Sequence, residues 1–125
     1  MERACFIGRY SPPHNGHVAL WKSVNKPLLI LLRNTNYDEY DVEDRWIMIK
    51  NILRTENIKG IVMVIPDIEG IYYGRGVGYK INEIKLDNEV EGISATEIRK
   101  QIKNGDEEWK RKVPLAVIEY IGSRD

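Results

Sequence analysis

Both histidines of this 125-residue chain fall within the tetrapeptide His14-Asn15-Gly16-His17. The tetrapeptide follows an apolar run that ends at Gly8, and Pro12 and Pro13 stiffen the loop between them. Imidazoles donate hydrogen bonds to phosphoryl oxygens and can be cationic near neutral pH. A helix that begins here would add backbone N–H groups that favour an anion. We therefore expect a phosphate site in this loop rather than two surface histidines.

A second group of polar residues, Ser94, Thr96, Glu97 and Arg99, follows Gly92. Ser94 can cap a helix with Glu97 at the capping-box position, and for Ser94 alone this structural role is as good an explanation as a functional one. Thr96 and Arg99 are three residues apart and share one helix face, where they could hold phosphate oxygens. Two such sites in one small chain suggest a polyphosphate held between them.

The elements that position these groups follow a strand–helix alternation. Apolar runs at residues 4–7, 28–32 and 61–65 predict three strands buried on both faces. A helix over 17–24 separates the first two strands. A longer helix separates the second and third strands. Asp41 can cap it, and the acidic residues in the stretch 38–44 lie at its N-terminus. Its apolar stripe comprises Val42, Trp46, Ile49, Ile52 and Leu53. This order predicts an α/β fold, a Rossmann-like doubly wound parallel sheet.

The second half of the chain continues without a repeat or linker, which predicts a single domain over residues 1–125. Apolar residues between 71 and 86 predict one or two further short strands. A helix should begin near Ser94 and end at Asn104-Gly105, and Pro114 should open a last helix.

Composition excludes several classes of protein. Nineteen basic and nineteen acidic residues give a formal net charge of zero, which argues against a nucleic-acid partner. The longest apolar runs are far shorter than the roughly 20 residues of a membrane span. The lone Cys5 cannot form an internal disulfide, and with His14 and His17 it falls short of a four-ligand zinc site. We expect a cytoplasmic protein without a membrane partner or a protein-held metal.

Two stretches resemble the signatures of a known superfamily. Residues 8–17 resemble the His-x-Gly-His motif of the nucleotidyltransferases, in the form Gly-Arg-aromatic-x-Pro-x-His-x-Gly-His that is most similar to archaeal-type nicotinamide mononucleotide adenylyltransferases. Residues 93–99 resemble the second signature, Ile-Ser-x-Thr-x-x-Arg. Weaker similarities lie at residues 65–68, at Trp109 with Val113-Pro114, and at Asp44-Arg45. The resemblance spans nearly the whole chain.

The resemblance implies transfer of AMP from ATP to the phosphate of a mononucleotide, with release of pyrophosphate and with Mg²⁺ held mainly by the substrate phosphates. His14, His17 and Arg99 would be catalytic. Arg45 would be a further phosphate contact or a partner of its acidic neighbours. The implied nucleotide-binding residues are Gly8, Arg9, Tyr10, Gly16, Gly74, Arg75, Ile93, Ser94 and Thr96.

This chain also departs from the archaeal pattern. A segment that helps to form the nicotinamide pocket is missing after Ile65-Pro66-Asp67-Ile68, and a phosphate-binding arginine is missing after the second strand, where Arg33 is a candidate substitute. The acceptor therefore stays open at this point, and the resemblance favours nicotinamide mononucleotide, which would give NAD. The alternatives are a cytidylyltransferase, a phosphopantetheine adenylyltransferase or a non-catalytic nucleotide sensor. The short chain also predicts a homo-oligomer, because a small domain gains stability by burying one face.

Overall fold

The computed structural model describes residues 2–35, 39–76 and 78–124. Asp38, in the predicted acidic helix start, and Val77, in the glycine-rich stretch 74–79, lie outside the described residues. The strands are β1 (Ala4–Gly8), β2 (Leu28–Asn34) and β3 (Gly60–Pro66). The helices are α1 (Asn15–Lys22), α2 (Val42–Thr55), α3 (Asn88–Glu91), α4 (Ala95–Asn104) and α5 (Leu115–Ser123), with a 3₁₀ helix at Glu107–Arg111.

The three strands form one parallel sheet in the order β1-β2-β3, which confirms the Rossmann-like α/β class. Because the strands are parallel, their carboxyl ends and the loops that follow β1 and β2 lie at one edge of the sheet. No helix within the described ranges has the length and apolar character to cross a membrane.

The further strands predicted between residues 71 and 86 are absent from the described part of that segment, which has no regular structure before α3. Ile71, Tyr72 and Tyr73 are consecutive, so they cannot place their side chains on one face of a strand. All three are exposed, Tyr72 by 80%. The prediction of extra strands was wrong because apolar content was taken as a strand signal without the alternation that a half-buried strand needs.

Within the described part of the chain, one face of the sheet is covered more completely than the other. Leu28, Ile30 and Leu32 of β2 are fully buried and pack in one cluster with residues of α1, α2 and α5. On the other face, Ile61 and Met63 of β3 are 44% and 51% exposed. Burial of all three strands on both faces was therefore a wrong prediction.

Helix α2 begins where the sequence predicts, and the Asp41 side chain accepts a hydrogen bond from the Asp44 N–H at 2.8 Å. Its buried face differs from the predicted stripe. Arg45, Met48, Ile49, Ile52 and Leu53 are buried, whereas Trp46 is 38% exposed. The error arose because the stripe was drawn from apolar residues alone, which included Trp46 and left out Arg45.

The ends of the later helices follow the predicted signals. Ser94 accepts a hydrogen bond from the Glu97 N–H, and Gly105 ends α4 in the left-handed conformation at φ 75°. Helix α5 is tied to the start of α2, since the Tyr120 hydroxyl donates to Asp44 at 2.7 Å and Arg124 pairs with the same carboxylate. The bond to Asp44 raises the pKa of Tyr120 to about 12.

The buried face of α2 can be tested with two substitutions. Met48 is fully buried, so Met48→Ala should lower the free energy of unfolding by about 2–5 kcal/mol. Trp46→Ala removes a larger but half-exposed side chain and should lower it by no more than about 1 kcal/mol. Chemical denaturation measures both values. A larger loss in Trp46→Ala than in Met48→Ala would contradict the helix orientation.

Candidate active site

The loop after β1 supports His17 through an aromatic contact. Tyr10 has a left-handed backbone conformation, at φ 51°, and its buried ring lies against Gly8. A Cβ atom at Gly8 would lie 3.0 Å from this ring, tighter than an ordinary contact, so glycine favours this close approach. The Tyr10 ring meets the His17 ring edge-on at 4.7 Å between centroids. Gly8 and Tyr10 thus hold the position of the His17 imidazole.

The two histidines build the start of α1. The Nδ1 atom of His14 accepts a hydrogen bond from the Gly16 N–H, and the Nδ1 atom of His17 accepts one from the His14 N–H, both at 3.0 Å. This reciprocal capping starts the helix at Asn15, earlier than the predicted start at His17. A Cβ atom at Gly16 would lie 2.8 Å from the His14 ring, so glycine is needed here too.

These hydrogen bonds determine the tautomer of the histidines. Because Nδ1 is an acceptor in each ring, the proton of the neutral imidazole is on Nε2. The rings stack at 3.8 Å, and burial lowers the pKa of His14 to about 4. Burial and the neighbouring His14 lower the pKa of His17 well below 6.5. Both are therefore neutral Nε2–H donors near neutral pH.

Arg99 connects the two sequence motifs. Its guanidinium donates to the backbone carbonyl of Ser11 and to the Thr96 hydroxyl, the latter at 3.2 Å. The first turn of α4 is thereby fixed against the loop that carries the histidines, although 88 residues separate the bonded pair Ser11 and Arg99. The sequence prediction that the two motifs meet in space is consistent with this geometry.

A cavity of about 200 Å³, which we name the arginine pocket, lies between these elements at the carboxyl edge of the sheet. Three guanidinium groups and the start of a helix make it favourable for an anion although the whole chain has no net charge. The residues that line it are Arg9, Tyr10, Ser11, His17, Arg33, Ala95, Thr96 and Arg99.

Arg45 does not lie where it could contact a phosphate in the arginine pocket. Its side chain is fully buried and does not line the arginine pocket. The guanidinium donates to the backbone carbonyls of Arg9 at 2.9 Å, Arg33 at 3.0 Å, Thr35 at 3.2 Å and Tyr40 at 3.0 Å. Arg45 therefore fixes the loops that follow β1 and β2 from behind the pocket.

Several other predicted site residues lie outside the pocket walls. His14 stacks behind His17, Ser94 caps α4, and Ile93 packs against the core. Gly74 and Arg75 are exposed in the segment before α3, and a Cβ atom at Gly74 would meet no atom of the described residues within 4 Å. The structure thus does not bring Gly74 and Arg75 to the arginine pocket.

Two further residues of the first motif, Asn15 and Ser11, belong to the site region although the sequence prediction did not include them. Asn15 joins the motif to the 3₁₀ helix, because its N–H donates to the Lys112 carbonyl at 2.8 Å and its side chain to the Arg111 carbonyl at 3.1 Å. Ser11 is 2% exposed, and its hydroxyl has no hydrogen-bond partner within the described part of the chain. Both residues are polar and lie in a loop rich in proline and glycine, which is the feature of the sequence that could have indicated them.

The fold and this site define a parallel α/β protein with an arginine-lined pocket at the carboxyl edge of its sheet. The chain is 30% identical to the nicotinamide-nucleotide adenylyltransferase of Methanococcus aeolicus over 156 residues, which cover 98% of this chain and 90% of the relative. Enzymes of the same name from Pyrobaculum aerophilum and Methanolobus tindarius are 26% and 27% identical over the full chain and 92% and 90% of their own lengths. The chain belongs to the nicotinamide-nucleotide adenylyltransferase family.

The aligned stretch of 156 residues is longer than this chain of 125, so the Methanococcus relative has internal segments that this chain lacks. No family model matches the chain. No solved structure gives a significant match either.

Burial of the two imidazoles predicts an unusual titration. In the unfolded chain both imidazoles take up a proton near pH 6.5, whereas in the folded chain His14 does so only near pH 4. The folded state should therefore lose stability as the pH falls through this range. Nitrogen-15 NMR at pH 6 should show both rings as neutral Nε2–H tautomers. Midpoints near 6.5 in the folded protein would show that the two rings are not buried as described.

Proposed function

We propose that this protein transfers AMP from ATP to the phosphate of nicotinamide mononucleotide, giving NAD and pyrophosphate. The observation that supports this most is the arginine pocket, where the first turn of α4 and the neutral His17 face a common cavity. A polyphosphate fits that combination, and the relatives that share nearly the full chain bear the name of this activity.

The reaction requires no protein nucleophile. An oxygen of the acceptor phosphate forms a bond to the α-phosphorus of ATP, the bond from that phosphorus to the bridging oxygen breaks, and its electron pair leaves with pyrophosphate. The attacking oxygen is already an anion, so no general base is needed. Catalysis then depends on in-line positioning and on stabilisation of the charge that develops on the phosphoryl oxygens.

The roles of the site residues follow from the geometry. His17 donates from Nε2 to the α-phosphate, and His14 keeps the ring of His17 in place by stacking and capping. Thr96, Arg99 and the backbone of the first turn of α4 bind the β- and γ-phosphates that become pyrophosphate. Arg9, whose backbone is held by Arg45, adds positive charge at the same phosphates.

We expect a magnesium ion to enter the site together with the substrates, whose phosphates bind it. No group of three histidine, cysteine or acidic side chains suited to a metal occurs among the residues described, and both histidine Nδ1 atoms are engaged by backbone N–H groups. When bound, Mg²⁺ neutralises charge on the phosphates and assists departure of pyrophosphate. We expect phosphate oxygens and water to hold it.

The activity is tested by pyrophosphate release in the presence of Mg²⁺. ATP and CTP are each combined with nicotinamide mononucleotide, nicotinic acid mononucleotide, phosphopantetheine and glycerol 3-phosphate. We expect release with ATP and a pyridine mononucleotide, because the similar proteins are named nicotinamide-nucleotide adenylyltransferases. Release with a different pair alone would reassign the substrates. Binding of ATP without any release would favour the nucleotide sensor.

His17→Ala in the same assay should lower kcat by about two orders of magnitude, the effect of losing one preorganised donor at a developing charge. Trp46→Phe serves as a control, since this half-exposed side chain lies outside the arginine pocket. An unchanged kcat in His17→Ala would remove this histidine from the mechanism.

We propose that the protein works in the cytoplasm as a homo-oligomer, with a second copy covering the exposed face of the sheet. Support comes from Ile61 and Met63, which leave apolar surface open there, and from the zero net charge, which gives two copies no overall repulsion. Light scattering should give a molar mass of at least twice that of the chain. Met63→Asp should reduce it to the monomer value. A monomeric wild-type protein would refute the assembly.

A further inference from the structure

Arg33, the candidate substitute for the phosphate-binding arginine that this chain lacks, is a cation of the arginine pocket and lies outside both signatures. It lies near the end of β2, where the register pairs it with Ile65 of β3, and its side chain is 28% exposed. The guanidinium reaches past the sheet edge toward β3. Its Nε donates to the Asp67 carboxylate at 2.9 Å, and Nη2 donates to the Ile68 carbonyl at 3.3 Å.

The pocket therefore has cations on two different walls. Arg99 is bound to Thr96 and to the Ser11 carbonyl, so its guanidinium belongs to the wall formed by α4. Arg33 belongs to the wall formed by the ends of β2 and β3. The carbonyls of Arg9 and Arg33 accept hydrogen bonds from the same Arg45 nitrogen, which keeps the loop after β1 next to Arg33.

In-line transfer assigns different ligands to these walls. The attacking and leaving oxygens lie on opposite sides of the phosphorus. If pyrophosphate leaves on the α4 side, the acceptor phosphate must approach from the side of β2 and β3. We propose that Arg33 binds the phosphate of the acceptor and that Asp67 sets the affinity of this contact. This inference rests on the proposed function, which supplies the acceptor.

Asp67 has the chemistry to tune such a site. Its carboxylate is 41% exposed and holds the Arg33 guanidinium at the pocket wall, with 2.7 Å between Nη2 and Oδ1. An exposed ion pair of this kind is weak. A phosphate dianion offers the planar guanidinium fork more charge and more oxygens than one carboxylate does, so it can displace or share the contact. Asp67 thus competes with the acceptor while it keeps Arg33 preorganised.

The first test compares the Michaelis constants of the two substrates in Arg33→Met. Loss of a charge-assisted hydrogen bond should raise the KM for nicotinamide mononucleotide at least about tenfold, while the KM for ATP stays within about twofold. Arg33→Lys keeps the charge without the fork and should give an intermediate KM. An increase in the KM for ATP, or unchanged constants for both substrates, would overturn the assignment.

The second test uses a substitution that should change the KM for the acceptor in the opposite direction. Asp67→Asn removes the competing charge and should lower the KM for the acceptor by roughly two- to fivefold. Arg54→Met is the matched control, because Arg54 is an exposed arginine of α2 whose side chain bonds Asn51. It should leave both constants unchanged. A KM for the acceptor that rises in Asp67→Asn would mean that Asp67 supports binding rather than competes with it, and would refute this part of the proposal.

Failure of the proposed function can be distinguished from failure of the Arg33 assignment, because the wild-type protein itself would then release no pyrophosphate with any acceptor. Calorimetric titration with inorganic phosphate tests Arg33 in that event. Weaker binding of phosphate to Arg33→Met than to wild type and Arg54→Met would still support the anion site. Equal binding by all three proteins would overturn it.

Discussion

A buried cation holds the carboxyl edge of the sheet together. The Arg45 side chain is fully buried, and its guanidinium donates to the backbone carbonyls of Arg9, Arg33, Thr35, Tyr40 and Asp41. Removal of a guanidinium from water costs several kcal/mol unless its donors are satisfied, so the loops that offer these carbonyls must stay in register. The pocket side chains of Arg9 and Arg33 extend from the backbone that this residue fixes. A helix residue with no access to the pocket thereby determines the shape of the pocket.

The histidine loop and α4 complete the site through bonds that serve structure and chemistry together. Reciprocal capping by His14 and His17 starts α1 and at the same time leaves both Nε2–H groups as neutral donors. Arg99 fixes α4 to the Ser11 carbonyl while its guanidinium lines the pocket. A neutral donor can stabilise developing charge without a change in protonation, and its low pKa keeps it neutral across the physiological range.

Local signals in the sequence were sufficient for much of this structure. Asp41, Ser94 and Gly105 mark helix ends because capping depends on residues a few positions apart. Burial of Arg45 could not be predicted in the same way, since its partners are carbonyls from loops distant in the chain. The exposed sheet face was also missed, because an apolar run such as residues 61–65 does not reveal whether one or two layers cover it. Neutrality of the histidines depends on tertiary burial, which no motif encodes.

The central claim is that the triphosphate of ATP lies in the arginine pocket with its leaving end toward α4. A crystal structure with α,β-methylene ATP and Mg²⁺ tests this most directly. We predict that the α-phosphate accepts a hydrogen bond from His17 Nε2 and that the terminal phosphates contact Thr96 and Arg99. A triphosphate bound elsewhere, such as the cavity between α4, the 3₁₀ helix and α5 that Trp109 and Ile118 line, would contradict the account.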